Sequence, residues 1–197
     1  PFDREAVYDK NVLGYRNLEQ QYPKFKYQIP SVKHSLLSLP LTYMGFSGYM
    51  NPFTGEAQVN ALVPMYSFPA TASHEMAHQI GYASESEANF VGYLAAVAND
   101  DIYIQYSGYT LALRYCIRNW EIRNKETAES LLKTVNPGIL DNFDESRKFW
   151  EQHETFVESG FKIFYDNFLK FNKQEEGLES YSRFVDMIVN YYKQRPL

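Results

Sequence analysis

The sequence predicts an α+β domain, in which a small N-terminal antiparallel sheet is followed by a mostly helical body. Two patterns carry this prediction. Residues 29–64 hold four of the nine prolines and three short β-prone runs, whereas apolar residues recur at helical spacing from residue 67 almost to the end. With 197 residues, the chain can form one domain with a sizeable core. We therefore expect residues 1–197 to fold as a single unit.

The N-terminal part is predicted as one helix and a sheet of two to four strands. Residues 3–21 carry apolar positions among many charges, which is typical of a surface helix, and Pro23 ends it. The β-prone runs are SVKHSLLS, LTYMGFSGYM and GEAQVNALV, and the link NPFTGE between the last two is a turn signal.

Helices are predicted for the rest of the chain. The first runs from Pro69 to about Ile80 and stops at Gly81, a natural left-handed residue after a helix. The next starts near Ser84, where Glu87 three residues later completes a capping-box pattern, and continues to about residue 99. Further helices are expected at residues 101–123, 125–135, 142–157, 160–172 and 179–194.

Composition excludes several functional classes. The net charge of −5 argues against nucleic acid or an anionic membrane surface as a partner. A single cysteine, Cys116, rules out an internal disulfide, and no run of about 18 apolar residues occurs.

The stretch HEMAH, residues 74–78, carries the strongest chemical signal. His74 and His78 lie one helical turn apart, so both imidazoles can reach one ion, and zinc accepts imidazole nitrogens in a tetrahedral shell. Glu75 lies about 100° round the helix, close enough to take a proton from water whose pKa the metal lowers. The pattern predicts a hydrolytic Zn²⁺ site with Glu75 as general base. Non-haem iron also uses two histidines and one carboxylate, but it needs no base between them.

A catalytic zinc site needs a third protein ligand, and the candidates are Glu85 and Glu87. Glu85 shares a helix face with Asn89, whereas Glu87 points away and suits the cap. The small residues Ala88, Gly92 and Ala96 recur every four residues and predict close packing against the histidine helix. We prefer Glu85 as the ligand.

At these positions the sequence resembles the gluzincin group of zinc metallopeptidases. Their third ligand opens an E-x-x-A-(D/N) pattern, which ESEAN matches with Glu85 and Asn89. The resemblance implies that Asn89 supports a histidine ligand. Only six residues separate His78 from Glu85, far fewer than in thermolysin-like enzymes, which leaves the choice of carboxylate open.

Most of residues 45–190 also resemble an uncharacterised bacterial family, a domain of unknown function with an HExxH motif behind N-terminal membrane helices. The matching pieces are GYMNPFTGEAQVN, SHEMAHQIGYASESEANF, YSGYTLAL, FLKFN and GLESYSRFVD. This resemblance implies a zincin-like fold and a parent protein anchored in the bacterial inner membrane through a preceding region.

Three further residues are candidates for catalysis or substrate binding. Tyr106, in the family-like YSGY, could donate to an oxyanion. Asn60 and Ala61 follow a strand that could pair with an extended peptide. We expect a zinc metalloendopeptidase acting on peptides or proteins; the alternative is a non-catalytic zinc-binding sensor or interaction domain of a membrane protein.

Overall fold

A computed structural model describes residues 3–28, 31–153, 178–193 and 195. The predicted class is confirmed at the level of α+β: helices dominate, and one small sheet lies near the N-terminus. Helix α1, Arg4–Gln21, begins at Asp3, whose side chain accepts a hydrogen bond from the backbone N–H of Glu5 at 3.2 Å. Pro23 follows it and opens a single 3-10 turn, Pro23–Phe25.

The sheet has three strands, and each predicted β-prone run supplies one of them. They are β1, Val32–His34, β2, Gly48–Met50, and β3, Ala57–Val59, in the order β1-β3-β2. The prediction of an antiparallel sheet is wrong in one pairing, because β1 runs parallel to β3. The chain between them passes through the short helix α2, Ser38–Tyr43, and through β2, so β3 returns in the direction of β1.

Strands β2 and β3 form the antiparallel hairpin that the NPFTGE turn predicts. Asn51 Oδ1 accepts hydrogen bonds from the backbone N–H groups of Phe53 and Thr54, at 3.0 and 3.3 Å. Gly55 closes the turn at φ +69°, a conformation that residues with a side chain rarely adopt.

The two helices that carry the predicted metal ligands follow the predicted bounds closely. Helix α3 spans Phe68–Gln79, and helix α4 spans Glu85–Val97. Ser84 is the N-cap residue of α4. The Ser84 side chain makes no capping hydrogen bond, and its hydroxyl lies 2.9 Å from that of Ser86.

The remaining helices differ from the prediction at their ends. Helix α5, Ile102–Arg123, is confirmed, whereas α6, Lys125–Leu132, is shorter than expected. Helix α7, Pro137–His153, begins five residues early, because Pro137 opens the helix where its missing N–H carries no penalty. The predicted helix at 160–172 lies outside the described residues, and α8, Leu178–Lys193, follows it.

Helix α3 is enclosed by the rest of the fold. It contacts β2 and β3 on one side and α4 on the other, while α4 also packs on α1, α5 and α8. Apolar α3 residues such as Met76 and Ala77 are fully buried in this core. The histidine helix is therefore held from two sides. Within the described residues, none of the helices combines the length and the apolar character needed to cross a bilayer.

Candidate metal centre

Three predicted ligands converge at the junction of α3 and α4. The Nε2 atoms of His74 and His78 are 3.0 Å apart. Glu85 places Oε2 3.2 Å from the first nitrogen and Oε1 3.5 Å from the second. Among the described residues, these three side chains form a cluster able to hold a metal ion, with all candidate ligand atoms within 4.8 Å of one another.

The spacing of these atoms fits a tetrahedral zinc shell. Ligands about 2.0–2.1 Å from a tetrahedral ion are separated from each other by roughly 3.3 Å. The three observed separations, 3.0, 3.2 and 3.5 Å, bracket that value. With its proton on Nδ1, each neutral imidazole would direct an Nε2 lone pair into the space between the three side chains, as a bound cation requires.

The turn after α3 fixes the orientation of His78. Gly81 adopts φ +105°, and its N–H donates to the carbonyl of His78 at 3.0 Å while that of Tyr82 donates to Ala77 at 3.2 Å. This double closure is a Schellman motif. It turns the Tyr82 carbonyl back towards the ring, where it accepts a hydrogen bond from His78 Nδ1 at 2.7 Å. Because Nδ1 then carries the proton, the Nε2 lone pair is free to bind a metal.

The close packing of α4 fixes His74. A Cβ atom on Gly92 would lie 2.9 Å from the backbone nitrogen of His74, so only glycine lets the helices approach this closely. The predicted packing role of Gly92 is confirmed. Asn89 lies one turn before Gly92, and its amide donates to the hydroxyl of Tyr115 at 3.1 Å rather than to a histidine. The buried His74 Nδ1 has no hydrogen-bond partner among the described residues.

The charge state of the cluster follows from its contacts. Burial opposes ionisation of Glu85, but hydrogen bonds from both histidines and their charges hold the pKa of its carboxyl well below the usual value. Burial likewise disfavours the charged form of His78, but the hydrogen bond to Glu85 and the charges of both glutamates raise its pKa. The alternative ligand, Glu87, is exposed and lies outside the cluster.

Glu75 occupies a different environment beside the cluster. Its side chain is buried, with 4% of the residue exposed, and its carboxylate faces strand β2. A Cβ atom on Gly48 would lie 2.5 Å from Glu75 Oε1, so the strand reaches the carboxylate only because residue 48 is glycine. Glu75 Oε2 has no hydrogen-bond partner among the residues that the structure describes. Burial raises the pKa of Glu75 to about 7, which the charges of His74 and His78 partly offset.

Tyr106 does not reach the cluster through any described contact. Its hydroxyl accepts a hydrogen bond from Asn142 of α7 at 2.5 Å. Sequence reasoning did not identify Tyr115. Its hydroxyl accepts a hydrogen bond from Asn89, which lies one turn along α4 from Glu85. The only signal in the sequence is position, since Tyr115 lies on the same long helix as Tyr106.

Asn60 and Ala61, the predicted substrate contacts, make their described hydrogen bonds within the protein. Asn60 is fully buried, and its amide donates to Thr42 Oγ1 at 2.8 Å and to the Phe46 carbonyl at 3.0 Å. The Ala61 N–H donates to the hydroxyl of Ser38 at 2.9 Å. The strand before them, β3, is central and paired on both edges, so it offers no free edge to a peptide.

The free edge near the cluster belongs to β2 instead. The Asn60 N–H donates to the Ser47 carbonyl at 2.9 Å, and the Asn51 N–H to the Glu56 carbonyl at 2.8 Å. In an antiparallel pair such bonded positions alternate, so the backbone groups of Gly48 and Met50 face away from β3. Within the described part of the chain, Gly48 thus presents unpaired backbone beside Glu75. The sequence feature that could have indicated this edge is the glycine that opens β2, in the tripeptide GYM.

Comparison with protein families matches residues 2–189 to the family described as "Protein of unknown function (DUF3810)". The match covers nearly the whole chain, and the protein belongs to this family. No curated protein and no solved structure is similar to it at a significant level.

Proposed function

We propose that the protein is a zinc-dependent metallopeptidase. The observation that carries the proposal is the buried Glu75 carboxylate, with one unpaired oxygen, beside a cluster of two imidazoles and a carboxylate. A structural metal site needs no such base, because it saturates its ligands and excludes water. A catalytic site needs three protein ligands, an open position and a group that accepts a proton.

The residues present suit zinc in number, type and spacing. His74, His78 and Glu85 would hold the ion, and a bound Zn²⁺ would polarise a carbonyl and lower the pKa of water. Glu75 would accept a proton from the attacking water and return it to the leaving amine. In the metal-free protein the pKa of its carboxyl is raised to about 7, so burial favours a group that holds a proton more tightly than an exposed glutamate does. Gly48 keeps the carboxylate in a fixed position and shields it from bulk water on one side.

The free edge of β2 supports a peptide as the substrate. An extended chain added to this edge would hydrogen bond to the backbone of Gly48 and Met50. It would then run past Glu75, which touches the same strand. Gly48 and Met50 thus differ from the predicted substrate contacts, Asn60 and Ala61, whose described hydrogen bonds lie within the protein. Attachment to the bacterial inner membrane stays a prediction, and fractionation of cells that express the gene's full product tests it.

A cleavage assay with a peptide library tests the function. Wild type loaded with zinc should cleave, and Glu75→Gln should retain zinc but cleave at least about 1,000-fold more slowly, since it removes general-base catalysis from an intact site. Glu126→Gln, an exposed change on α6 outside the cluster, is the matched control and should behave as wild type. A wild type that binds one zinc yet cleaves no better than Glu75→Gln would favour the non-catalytic zinc-binding domain.

A further inference from the structure

A cavity of about 860 Å³ opens beside the candidate metal centre. Its lining includes Ser47, the residue before Gly48, and Thr71, one helical turn before Glu75. It also includes Tyr115, whose hydroxyl is bonded to Asn89 on α4. Each of these residues adjoins a different part of the site, so a peptide that lies along β2 can extend into the cavity.

Helices α5 and α7 form the long walls of the cavity. On α5 the lining positions follow one helix face and include two arginines, Arg114 and Arg118. On α7 they include Arg147 and three large apolar side chains, those of Leu140, Phe143 and Trp150. The cavity lining therefore combines three guanidinium groups with large apolar side chains.

The charge on this lining is opposite to that of the whole chain. Among the described residues that line it, three arginines face a single carboxylate, Glu121, whereas the chain has a net charge of −5. Arg118 pairs with Glu121 at 3.1 Å, and Arg147 pairs with Asp144 and Glu151. Arg114 has no carboxylate partner within 4.0 Å in the described part of the chain.

We propose that this cavity binds a carboxylate group of the peptide substrate, with Arg114 as its principal contact. The proposal rests on the peptidase function and assigns that site a substrate class, acidic peptides. A guanidinium at the wall of a cleft forms short, charge-assisted hydrogen bonds to a carboxylate. The apolar side chains of α7 would accommodate the aliphatic or aromatic residues beside it.

The carboxylate can come from an acidic side chain or from the C-terminus of the peptide. Fluorescein-labelled peptides of about ten residues distinguish the two sources. Each position in turn carries either Glu or Gln, and each peptide is made with a free and with an amidated C-terminus. Binding is measured by fluorescence polarisation to zinc-loaded Glu75→Gln, which does not turn the peptide over.

We expect at least one Glu peptide, or the free C-terminus, to bind at least about 10-fold more tightly than its neutral counterpart, and this preference to shrink as salt rises. Arg114→Gln on the same background should remove the preference. Arg123→Gln should retain it, because Arg123 lies on α5 outside the cavity lining. Equal binding of acidic and neutral peptides, or a preference that survives Arg114→Gln, would overturn the proposal.

Cleavage by wild type separates this proposal from the peptidase function. Cleavage without any acidic preference contradicts the cavity assignment and leaves the function intact. An acidic preference in binding that Arg114→Gln removes, without cleavage by wild type, supports the cavity assignment and contradicts the function.

Discussion

The carboxylate of Glu75 lies against the backbone of Gly48, in a space that a single methyl group would fill. An added Cβ at residue 48 would fall 2.5 Å from Oε1 and 2.7 Å from Cγ of Glu75. Strand β2 and helix α3 thus meet at the one side chain that the proposed chemistry uses as a base. The position of the base depends on a residue that belongs to neither the motif nor the ligand set.

Gly48→Ala should therefore impair catalysis more than metal binding. The methyl group displaces the Glu75 carboxylate, whereas the described contacts of His74 and His78 are with other residues, Gly92 and Tyr82. We expect kcat/KM to fall at least about 10-fold with zinc content unchanged, since small displacements of a catalytic group have effects of this order. Gly138→Ala is the control, because a Cβ there meets its nearest neighbour at 3.4 Å. A kcat/KM equal to that of wild type in Gly48→Ala would show that this contact does not position the Glu75 carboxylate for catalysis.

Gly92→Ala should weaken both folding and metal binding. Alanine normally stabilises a helix relative to glycine by roughly 0.5–1 kcal/mol. Here its methyl group would press on the backbone of His74 at 2.9 Å, and such overpacking typically costs about 1–3 kcal/mol. Urea unfolding should show a net loss of stability, together with weaker zinc binding. A stabilised variant would show that the two helices pack less tightly at this position.

Substitution of the two candidate glutamates should identify the third ligand. Glu85→Gln removes a carboxylate that lies 3.2 and 3.5 Å from the two histidines, so zinc affinity should fall by more than the roughly 10- to 100-fold typical of residues that only support a ligand. Glu87→Gln removes an exposed carboxylate outside the cluster and should bind zinc as wild type does. Competition with a fluorescent chelator measures both affinities. A larger loss of zinc affinity in Glu87→Gln than in Glu85→Gln would identify Glu87 as the third ligand.

The stability of the metal-free protein should depend on Glu75 above neutral pH. The pKa of this carboxyl is raised by burial, from about 4.5 in the unfolded chain to about 7 in the folded one. The folded state therefore holds the proton more tightly, and stability decreases as pH rises from about 4.5 through 7. His78, whose folded pKa is also raised, adds to the decrease as pH rises through its own folded pKa.

Glu75→Gln removes the contribution of this carboxylate to the pH dependence of stability. At pH 8 the metal-free variant should be more stable than metal-free wild type by on the order of 2–3 kcal/mol, and at pH 4 the two should be similar. Urea unfolding in the presence of a chelator measures the difference. A constant difference between pH 4 and pH 8 would contradict the buried, ionisable state of Glu75.

The sequence predicted what short-range periodicity determines. One turn of helix places His74 beside His78, and Gly81 ends α3 so that Glu85 returns to them after six intervening residues. The small residue Gly92 predicted the contact between the helices, because only close backbone approach explains glycine inside a helix.

The sheet and the outer contacts of the site were not predictable in the same way. Strands of three residues carry too little alternation to reveal their order or direction, so the parallel pairing of β1 with β3 was missed. Asn60 looked available for substrate because it follows a strand, but its amide satisfies buried groups on α2 and the loop after it. Asn89 and Tyr115 pair across 26 positions of sequence, a contact that no local pattern reports.

The most direct test of the central claim is a crystal of the zinc-loaded protein measured at the zinc absorption edge. The account predicts one strong anomalous peak among His74 Nε2, His78 Nε2 and a Glu85 oxygen, about 2.0–2.2 Å from each. An anomalous peak at a different set of residues, or no peak between these three side chains in a crystal grown with zinc, would contradict it.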